Sequence, residues 1–281
     1  MAKISTGGNW KKANRIEQNY YSQIHKLFKP LFNITKYLDD ARDITDAIEA
    51  MMESPTYQRK SEEVARLMAT MVFKDGAKNW RAAAKKSSKS SLIYTLLKKE
   101  MDGPIKNTLE NLIEYNSTLI KTLPRNIADD VTKHVQKRSM EGIRASEIAK
   151  EIKKMFPERT KASAKLIART ETSKASTALT QARSEMLGHH WYVWKTSEDA
   201  RVRSSHAHMD DVICNYKNPP SPETLDGKKT EGNYNAGEIY NCRCYAAPII
   251  DYEDVKWPHK VHYNNKIETM SLSKFKEIEG K

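Results

Sequence analysis

The sequence has few cysteines: Cys214, Cys242 and Cys244 are the three in 281 residues. Three thiols are too few for a disulfide framework, and an odd number cannot all pair. This count fits a reducing cytoplasm. The sequence also has no apolar run of roughly 20 residues, the length that spans a bilayer, and no hydrophobic segment follows its charged first residues. We therefore expect neither a signal peptide nor a membrane anchor, and no membrane partner.

Motifs of sequence-specific nucleic-acid recognition are absent as well. There is no zinc-finger spacing and no RNA-binding motif built on stacking aromatics. Hydrophobic residues make up 38% of the chain and charged residues 30%, a composition typical of a folded protein with much exposed helical surface. The length predicts one large domain or two modest ones.

Positive charge is what the sequence has in excess. Lys and Arg number 48 against 36 Asp and Glu, for a net charge of +12. Between Thr56 and Glu100 there are 11 basic and four acidic residues, so over half of the excess lies in one segment. This pattern predicts either solvated helix faces or a surface that binds double-stranded DNA without reading its sequence. The candidate DNA-binding residues are Lys74, Lys78, Arg81, Lys85, Lys86 and Lys89.

The first half of the chain has a helical pattern, because its apolar residues recur at three-to-four spacing. We predict a helical, basic N-terminal region over residues 1–140. Proline and glycine predict breaks between its helices. The expected breaks are Ser54-Pro55, Asp75-Gly76, Asp102-Gly103-Pro104 and Leu123-Pro124, and a further helix is predicted to end near Pro157.

The clearest predicted element is a long helix. It is expected to begin at about Thr160 as N-cap and to reach Leu187, with Gly188 in the left-handed position that stops a helix. Alternation then predicts a strand at 190–195 and a last strand at 241–250.

These elements predict an α+β fold, in which a mainly helical N-terminal region precedes a small α+β domain with a long helix and a short antiparallel sheet. The predicted domains are 1–140, 141–250 and a C-terminal tail at 251–281. Only a weak helical signal at 272–278 marks the tail, which we interpret as an appendage.

The cysteines of segment 241–244 suggest a metal site. If the segment is a strand, alternation places Cys242 and Cys244 on one face. Adjacent thiolates suit a shared tetrahedral metal, whereas a disulfide across so short a loop would be strained. Two interpretations are open at this point: these thiols and His206 bind a structural zinc ion, or the two thiols are buried and free beside a locally hydrogen-bonded His206. The candidates for a fourth ligand are His208, Cys214 and Asp199.

A compact polar cluster follows the predicted aromatic strand and comprises Asp199, Arg201, Arg203 and His206. Glu171 stands on a stripe of small residues along the long helix, where a buried carboxylate needs a partner. We expect one of the two guanidiniums to pair with Glu171 or Asp199 and so to join helix and sheet. An acid/base site is the alternative, but no activated nucleophile or phosphate loop accompanies it.

Several short motifs succeed one another in the C-terminal half. In chain order they are Arg169-Thr170-Glu171, Trp194, Asp199-Ala200-Arg201-Val202-Arg203, His206 and Asn241-Cys242-Arg243-Cys244. Together they resemble the phage head morphogenesis (Mu F-like) minor capsid protein family over roughly Glu141 to Ile250. Their shared order and spacing is far more specific than any single motif. Family members usually have Asp-Gly after the histidine segment, where this chain has Asp210-Asp211.

The resemblance implies a minor head protein of a tailed bacteriophage, present in few copies. Such a protein would be assembled into the procapsid in the host cytoplasm and would lie in the capsid interior near the portal. Its role would be non-enzymatic. The partners implied are the portal protein, with scaffold and major capsid protein as further candidates, and packaged or ejected double-stranded DNA.

Two other functions remain open from the residues alone. A cluster of His, Cys and Asp with basic charge suits a metal-dependent enzyme acting on nucleic acid or a nucleotide. A free-standing DNA-binding protein, outside any virion, is the second alternative.

Overall fold

The computed structural model describes residues 9–279, most of which are helical. The three longest helices, α4, α6 and α7, have 30, 37 and 42 residues. The α-helices are α1 (Asn14–Leu27), α2 (Lys29–Thr35), α3 (Ala41–Glu53), α4 (Pro55–Ala84), α5 (Ser90–Lys99), α6 (Pro104–Met140), α7 (Ala145–Met186), α8 (Ser204–His208), α9 (Pro222–Leu225) and α10 (Leu272–Glu279). Within residues 9–279, no helix combines the length and the apolar character needed to cross a membrane.

Five strands form one sheet in the order β3-β1-β2-β4-β5. They are β1 (Trp191–Lys195), β2 (Ile213–Asn215), β3 (Tyr245–Pro248), β4 (His259–Tyr263) and β5 (Lys266–Met270). Strand β1 pairs antiparallel with β2 and β3, and β4 pairs antiparallel with β5, but β2 and β4 are parallel. The predicted α+β class is confirmed, with a mixed sheet in place of the expected antiparallel one.

The segment after Ile250 is part of this sheet rather than an appendage. Strands β4 and β5 form a hairpin whose turn residues Asn264 and Asn265 have φ of 49° and 58°, the backbone conformation that asparagine tolerates in tight hairpins. In α10 the buried ring of Phe275 packs edge-on against Trp191, with centroids 4.9 Å apart. The weak helical signal at 272–278 therefore corresponds to helix α10. Strands β4 and β5, which precede it, are not predicted from the sequence.

The chain divides into two compact units that interleave along the sequence. The first unit combines the described residues up to Ala13 with Met71–Leu109 and residues 172–279; the second combines Asn14–Thr70 with Glu110–Glu171. These units do not follow the predicted division into 1–140, 141–250 and 251–281, which remains a prediction.

The second unit is built from helices alone. Its core includes the fully buried Phe28, and the Tyr57 hydroxyl donates to the carbonyl oxygen of Ile120 at 2.7 Å. The hydroxyl of the buried Tyr20 donates to Asn116 Oδ1 at 2.9 Å. Buried polar groups in this core thus have hydrogen-bond partners, as folding in a low-dielectric interior requires.

Three predicted helix breaks are wrong. Helix α4 continues through Gly76, α6 through Pro124 and α7 through Pro157, and α7 begins at Ala145 instead of Thr160. A proline removes one helical hydrogen bond at a cost of about 3 kcal/mol, which burial of neighbouring apolar faces offsets. The predicted breaks before Pro55 and Pro104 are confirmed, and Gly188 has the expected left-handed φ of 75°.

Gly76 has a packing role within the first unit. A Cβ at this position would lie 2.6 Å from Nη1 of Arg183, so only glycine leaves room for the guanidinium. Arg183 Nε donates to Glu100 Oε2 at 2.8 Å, and Nη2 donates to the carbonyl oxygen of Phe73 at 3.1 Å. The side chains of Arg183 and Glu100 are 0% and 6% exposed. Removing one charge of such a buried pair is costly, because the other stays unpaired.

We expect Glu100→Gln to lower the free energy of unfolding by about 3–5 kcal/mol, measured by urea denaturation. The matched control is Glu253→Gln, which removes the exposed partner of Lys276 (2.9 Å; side chains 65% and 52% exposed) and should cost at most about 1 kcal/mol. Equal effects of the two substitutions would contradict a stabilising buried pair.

Candidate functional site

His206 is held in the interior by the short helix α8. Its side chain is 2% exposed and its ring meets the indole of Trp194 edge-on, with centroids 5.6 Å apart. Trp194 is the fourth residue of β1 and fully buried. The aromatic strand therefore forms one wall around the imidazole.

The two cysteines lie on a turn before β3, not on a strand. Residues 241–244 precede the first strand residue, Tyr245, and Asn241 has a φ of 57°, a conformation that asparagine adopts more readily than most residues. The amide of Cys244 donates to Cys242 Sγ at 3.4 Å. The predicted strand alternation is wrong, yet the tight turn directs both thiols toward the same place.

The structure brings His206, Cys242 and Cys244 together. Nδ1 of His206 lies 3.5 Å from Cys242 Sγ and 3.4 Å from Cys244 Sγ. The three donor atoms all lie within 4.8 Å of one another, and all three residues are buried. Within residues 9–279, no further His, Cys, Asp or Glu side chain belongs to this group.

The three candidates for a fourth ligand lie elsewhere. Cys214 faces the carbonyl oxygen of Val212 at 3.7 Å on β2, Asp199 accepts hydrogen bonds from Arg201, and His208 is exposed at the end of α8. Of the predicted set, the cluster thus contains His206, Cys242 and Cys244 without a fourth candidate.

The other ring nitrogen of His206 faces a buried hydrogen-bond chain that sequence reasoning missed. Tyr234 Oη lies 3.0 Å from Nε2 and donates to both oxygens of the Glu223 carboxylate, at 2.7 and 2.8 Å. Ser205 Oγ also donates to this carboxylate, at 3.0 Å. Burial acts to raise the pKa of Glu223, but hydrogen bonds from Tyr234, from its own backbone amide and from Ser205, together with the charge of His206, leave the pKa lowered.

The surroundings of the two thiols favour one thiolate in the pair, on Cys242. The pKa of Cys242 lies well below its usual value, mainly because Cys244 donates a hydrogen bond to its thiolate, and His206 also favours that thiolate. The pKa of Cys244 is raised, because Cys242 holds its proton and burial disfavours a second thiolate. The first deprotonation is therefore easy, and the second is resisted.

The comparisons with known proteins bear on the same part of the chain. Residues 129–247, somewhat less than half of the chain, match the family described as phage Mu protein F like protein. Over this segment the chain is similar to the phage Mu F-like family. The resemblance expected from the motifs is confirmed over this segment.

One relative is an uncharacterized protein of Haemophilus influenzae (strain ATCC 51907 / DSM 11121 / KW20 / Rd), 27% identical over 256 residues. The match covers 86% of this chain and 55% of the relative, so the chain spans about half the length of the curated relative that it matches. No solved structure matches significantly.

The Mu F-like signature residues have different structural roles. Arg201 pairs with Asp199 at 3.0 Å near the surface, and this pairing holds the pKa of the carboxyl at about 2. The Arg203 guanidinium stacks on the Tyr240 ring at 4.6 Å and donates to its carbonyl oxygen at 3.1 Å. Of the two predicted acids, Asp199 thus pairs with Arg201, and this pair lies within one loop.

The helical part of the signature lies in the second unit. Arg169 Nε lies 3.3 Å from Glu17 Oε1, whereas Thr170 and Glu171 are buried. Burial raises the pKa of Tyr20, and the charge of Glu171 adds to that rise. The acid predicted to be buried is therefore buried.

The departure from the Mu F-like Asp-Gly pattern leaves a glycine-like backbone in place. Asp211 has a φ of 64°, which glycine favours and which aspartate tolerates better than most residues. Its carboxylate pairs with Lys195, and Asp210 Oδ1 accepts from the amide of Thr196 at 2.8 Å. The side chains of this turn thus bind the last residue of β1 and the residue after it.

Residues 236–244, which we call the cysteine turn, are fixed against the C-terminal part of α7. Thr177 Oγ1 donates to the carbonyl oxygen of Ala236 at 2.6 Å, and Ser173 Oγ donates to that of Cys242 at 3.3 Å. Between them Gly237 has a φ of 93°, and a Cβ there would lie 2.7 Å from Thr177 Oγ1 and 3.0 Å from the carbonyl oxygen of Cys244. Because Gly237 has no side chain, the turn can approach the helix this closely.

We expect Gly237→Ala to destabilise the first unit by more than about 2 kcal/mol, because it adds a steric clash to an unfavourable backbone conformation. Gly227→Ala is the matched control: Gly227 also has a positive φ, 71°, but a Cβ there meets nothing within 4 Å. It should cost only about 1–2 kcal/mol. Thermal and urea unfolding measure both, and equal costs would contradict the close approach.

Proposed function

We propose that this chain is a minor capsid (head morphogenesis) protein of a tailed bacteriophage, present in few copies at the portal vertex. It acts in procapsid assembly and in the handling of packaged or ejected DNA. The match of residues 129–247 to the phage Mu F-like family is the observation that carries this proposal. The proposed location is the capsid interior near the portal, reached from the host cytoplasm during assembly.

We further propose that the role is structural and not enzymatic. The polar cluster of greatest chemical interest is buried: His206, Cys242 and Cys244 are 2%, 2% and 4% exposed. A catalytic group must touch its substrate, and a packed interior position gives a nucleic acid or nucleotide no access. Burial therefore supports a role in holding the fold together over the alternative of a metal-dependent enzyme.

The basic segment supports contact with DNA through one helix face. Lys74, Lys78, Arg81 and Lys85 are spaced by four, three and four residues, which places them on the same side of a helix. All four are exposed, and the amide of Lys85 donates to the carbonyl oxygen of Arg81, so the helical path continues past Ala84. We call these four residues the basic stripe. A row of cations at this spacing suits phosphate contacts without base readout.

The two other predicted DNA-binding residues differ from the stripe. Lys86 is exposed just beyond the helix end. Lys89 is half-buried, and its Nζ donates to the carbonyl oxygen of Ile250 at 2.9 Å and lies 3.3 Å from His189 Nε2. Burial and the charge of Lys89 lower the pKa of His189 to about 4. Lys89 therefore serves the fold of the first unit, and we leave it out of the proposed DNA surface.

We expect the chain to bind double-stranded DNA with little sequence preference and steep salt dependence. Changing the four stripe residues to Glu should weaken binding at least tenfold at low salt, and should make the slope of log K against log salt shallower by about 3–4. Fluorescence anisotropy with two unrelated duplexes of equal length, over a salt series, measures both effects.

The control variant carries the same change of net charge at four exposed lysines outside the stripe: Lys229, Lys256, Lys260 and Lys266. It should retain most of the affinity. Equal loss in both variants would show that only net charge matters, and no binding by the native chain at low salt would refute DNA contact.

Portal association is tested by co-expression with the portal protein of the same phage genome. We expect the two proteins to co-elute in size-exclusion chromatography at high salt with nuclease, and the stripe variant to do so equally. Separate elution of two folded proteins would contradict a direct portal contact. Co-expression with scaffold and major capsid protein tests the further partners in the same way.

A further inference from the structure

The convergence of one imidazole nitrogen and two thiols in the interior points to a ligand. We propose that Nδ1 of His206 and the thiolates of Cys242 and Cys244 bind one zinc ion, and that the ion fastens the cysteine turn to α8. This inference concerns the folded chain itself and does not depend on the proposed phage function.

The separations of the two sulfurs from Nδ1 fit tetrahedral zinc. With Zn–N of about 2.0–2.1 Å and Zn–S of about 2.3 Å, a nitrogen and a sulfur ligand at the tetrahedral angle lie about 3.5–3.6 Å apart. The observed distances from Nδ1 to the two sulfurs are 3.5 and 3.4 Å. A single lone pair on Nδ1 accepts a proton from one thiol only, so a bridging cation accounts for two sulfurs at equal distance better than a hydrogen bond does.

The hydrogen bonds behind His206 select the ring form that binds a metal. Tyr234 has one hydroxyl proton, and it is directed at the Glu223 carboxylate, 2.7 and 2.8 Å away. Nε2 of His206, 3.0 Å from the same oxygen, must then donate its proton to Tyr234. The neutral ring therefore presents an unprotonated Nδ1 to the sulfurs. A ring nitrogen tied to a hydroxyl and a carboxylate is the usual support of a metal-binding histidine.

The charges also balance in a buried site. On binding, each thiol releases its proton to solvent and each thiolate forms one bond to the ion, while the imidazole supplies a lone pair. Two thiolates neutralise Zn²⁺, so the assembled centre carries no net charge, which suits an interior position. Three protein ligands leave the fourth position for one small ligand such as water.

Zinc would connect two segments far apart in sequence, the cysteine turn (residues 236–244) and helix α8. The turn is already bonded to the C-terminal part of α7 through Ser173 and Thr177. A metal bond from His206 would therefore complete a connection from α7 through the turn to α8. The expected consequence is a large gain in stability on metal binding.

Elemental analysis of the purified full chain, after exchange into zinc-containing and then metal-free buffer, tests the proposal. We expect about one equivalent of zinc in the native chain and in Cys214→Ala, whose thiol is buried but lies outside the cluster. Cys242→Ala and Cys244→Ala should retain less than one tenth of an equivalent. Cobalt substitution should give a thiolate-to-metal charge-transfer band in the native chain and in Cys214→Ala.

Tyr234→Phe tests the positioning role of the hydroxyl. The variant keeps all three ligands, so it should still show the cobalt–thiolate band, but its zinc affinity should fall about 10–100-fold in competition with a chromophoric chelator. Unchanged affinity would refute the role assigned to Tyr234 without affecting the ligand set.

Measurements on the native chain keep the test valid if a variant does not fold. A folded native chain that holds no zinc, and whose melting temperature neither chelator nor added zinc alters, would overturn the proposal. In that outcome both thiols would be packing residues that resist maleimide until unfolding, and the phage assignment would stand unchanged.

Discussion

The architecture of the first unit depends on how closely the cysteine turn approaches helix α7. Gly237 permits that approach, because a side chain there would collide with Thr177 and with the backbone of Cys244. Hydrogen bonds from Thr177 and Ser173 then fix the turn along the helix. With the turn fixed, both sulfurs reach the same ring nitrogen of His206. One steric constraint thus connects the longest helix to the buried cluster.

This arrangement gives the Mu F-like motifs a physical interpretation. The Asn-Cys-Arg-Cys segment is a turn whose first residue takes a left-handed backbone and whose thiols point inward. Trp194 and His206 form the other side of the same buried cluster. Arg201 and Arg203, by contrast, interact with groups of their own surroundings, Asp199 and Tyr240. The interior therefore brings together Trp194, His206 and the two cysteines, which are well separated in sequence.

Sequence reasoning identified the elements whose signals are local. Alternation located β1 to within a residue, the glycine stop located the end of α7, and the spacing of the basic stripe is a helical period. The grouping of His206 with Cys242 and Cys244 was also predicted, although through a strand that is a turn in the structure. That prediction depended more on residue types than on a secondary-structure pattern, because histidine and cysteine, both metal ligands, occur in one short region of the sequence.

The missed features depend on contacts that no local pattern encodes. Gly76 looks like a break, but its missing side chain accommodates Arg183, far away in sequence. Glu223 lies on the short helix α9 and Tyr234 in the loop after it, within a stretch rich in proline, glycine and asparagine, and only the fold turns them toward His206. Strands β4 and β5 are as long as β1 but too polar to stand out until they pair with a sheet edge.

The central claim is that the chain is a structural component of a phage head. Quantitative mass spectrometry of procapsids and DNA-filled heads, each normalised to the portal protein, tests it most directly. The account predicts that the chain co-purifies with both kinds of particle, at a copy number comparable to portal and far below that of the major capsid protein. Absence from both, in cells where the chain is expressed, would contradict it.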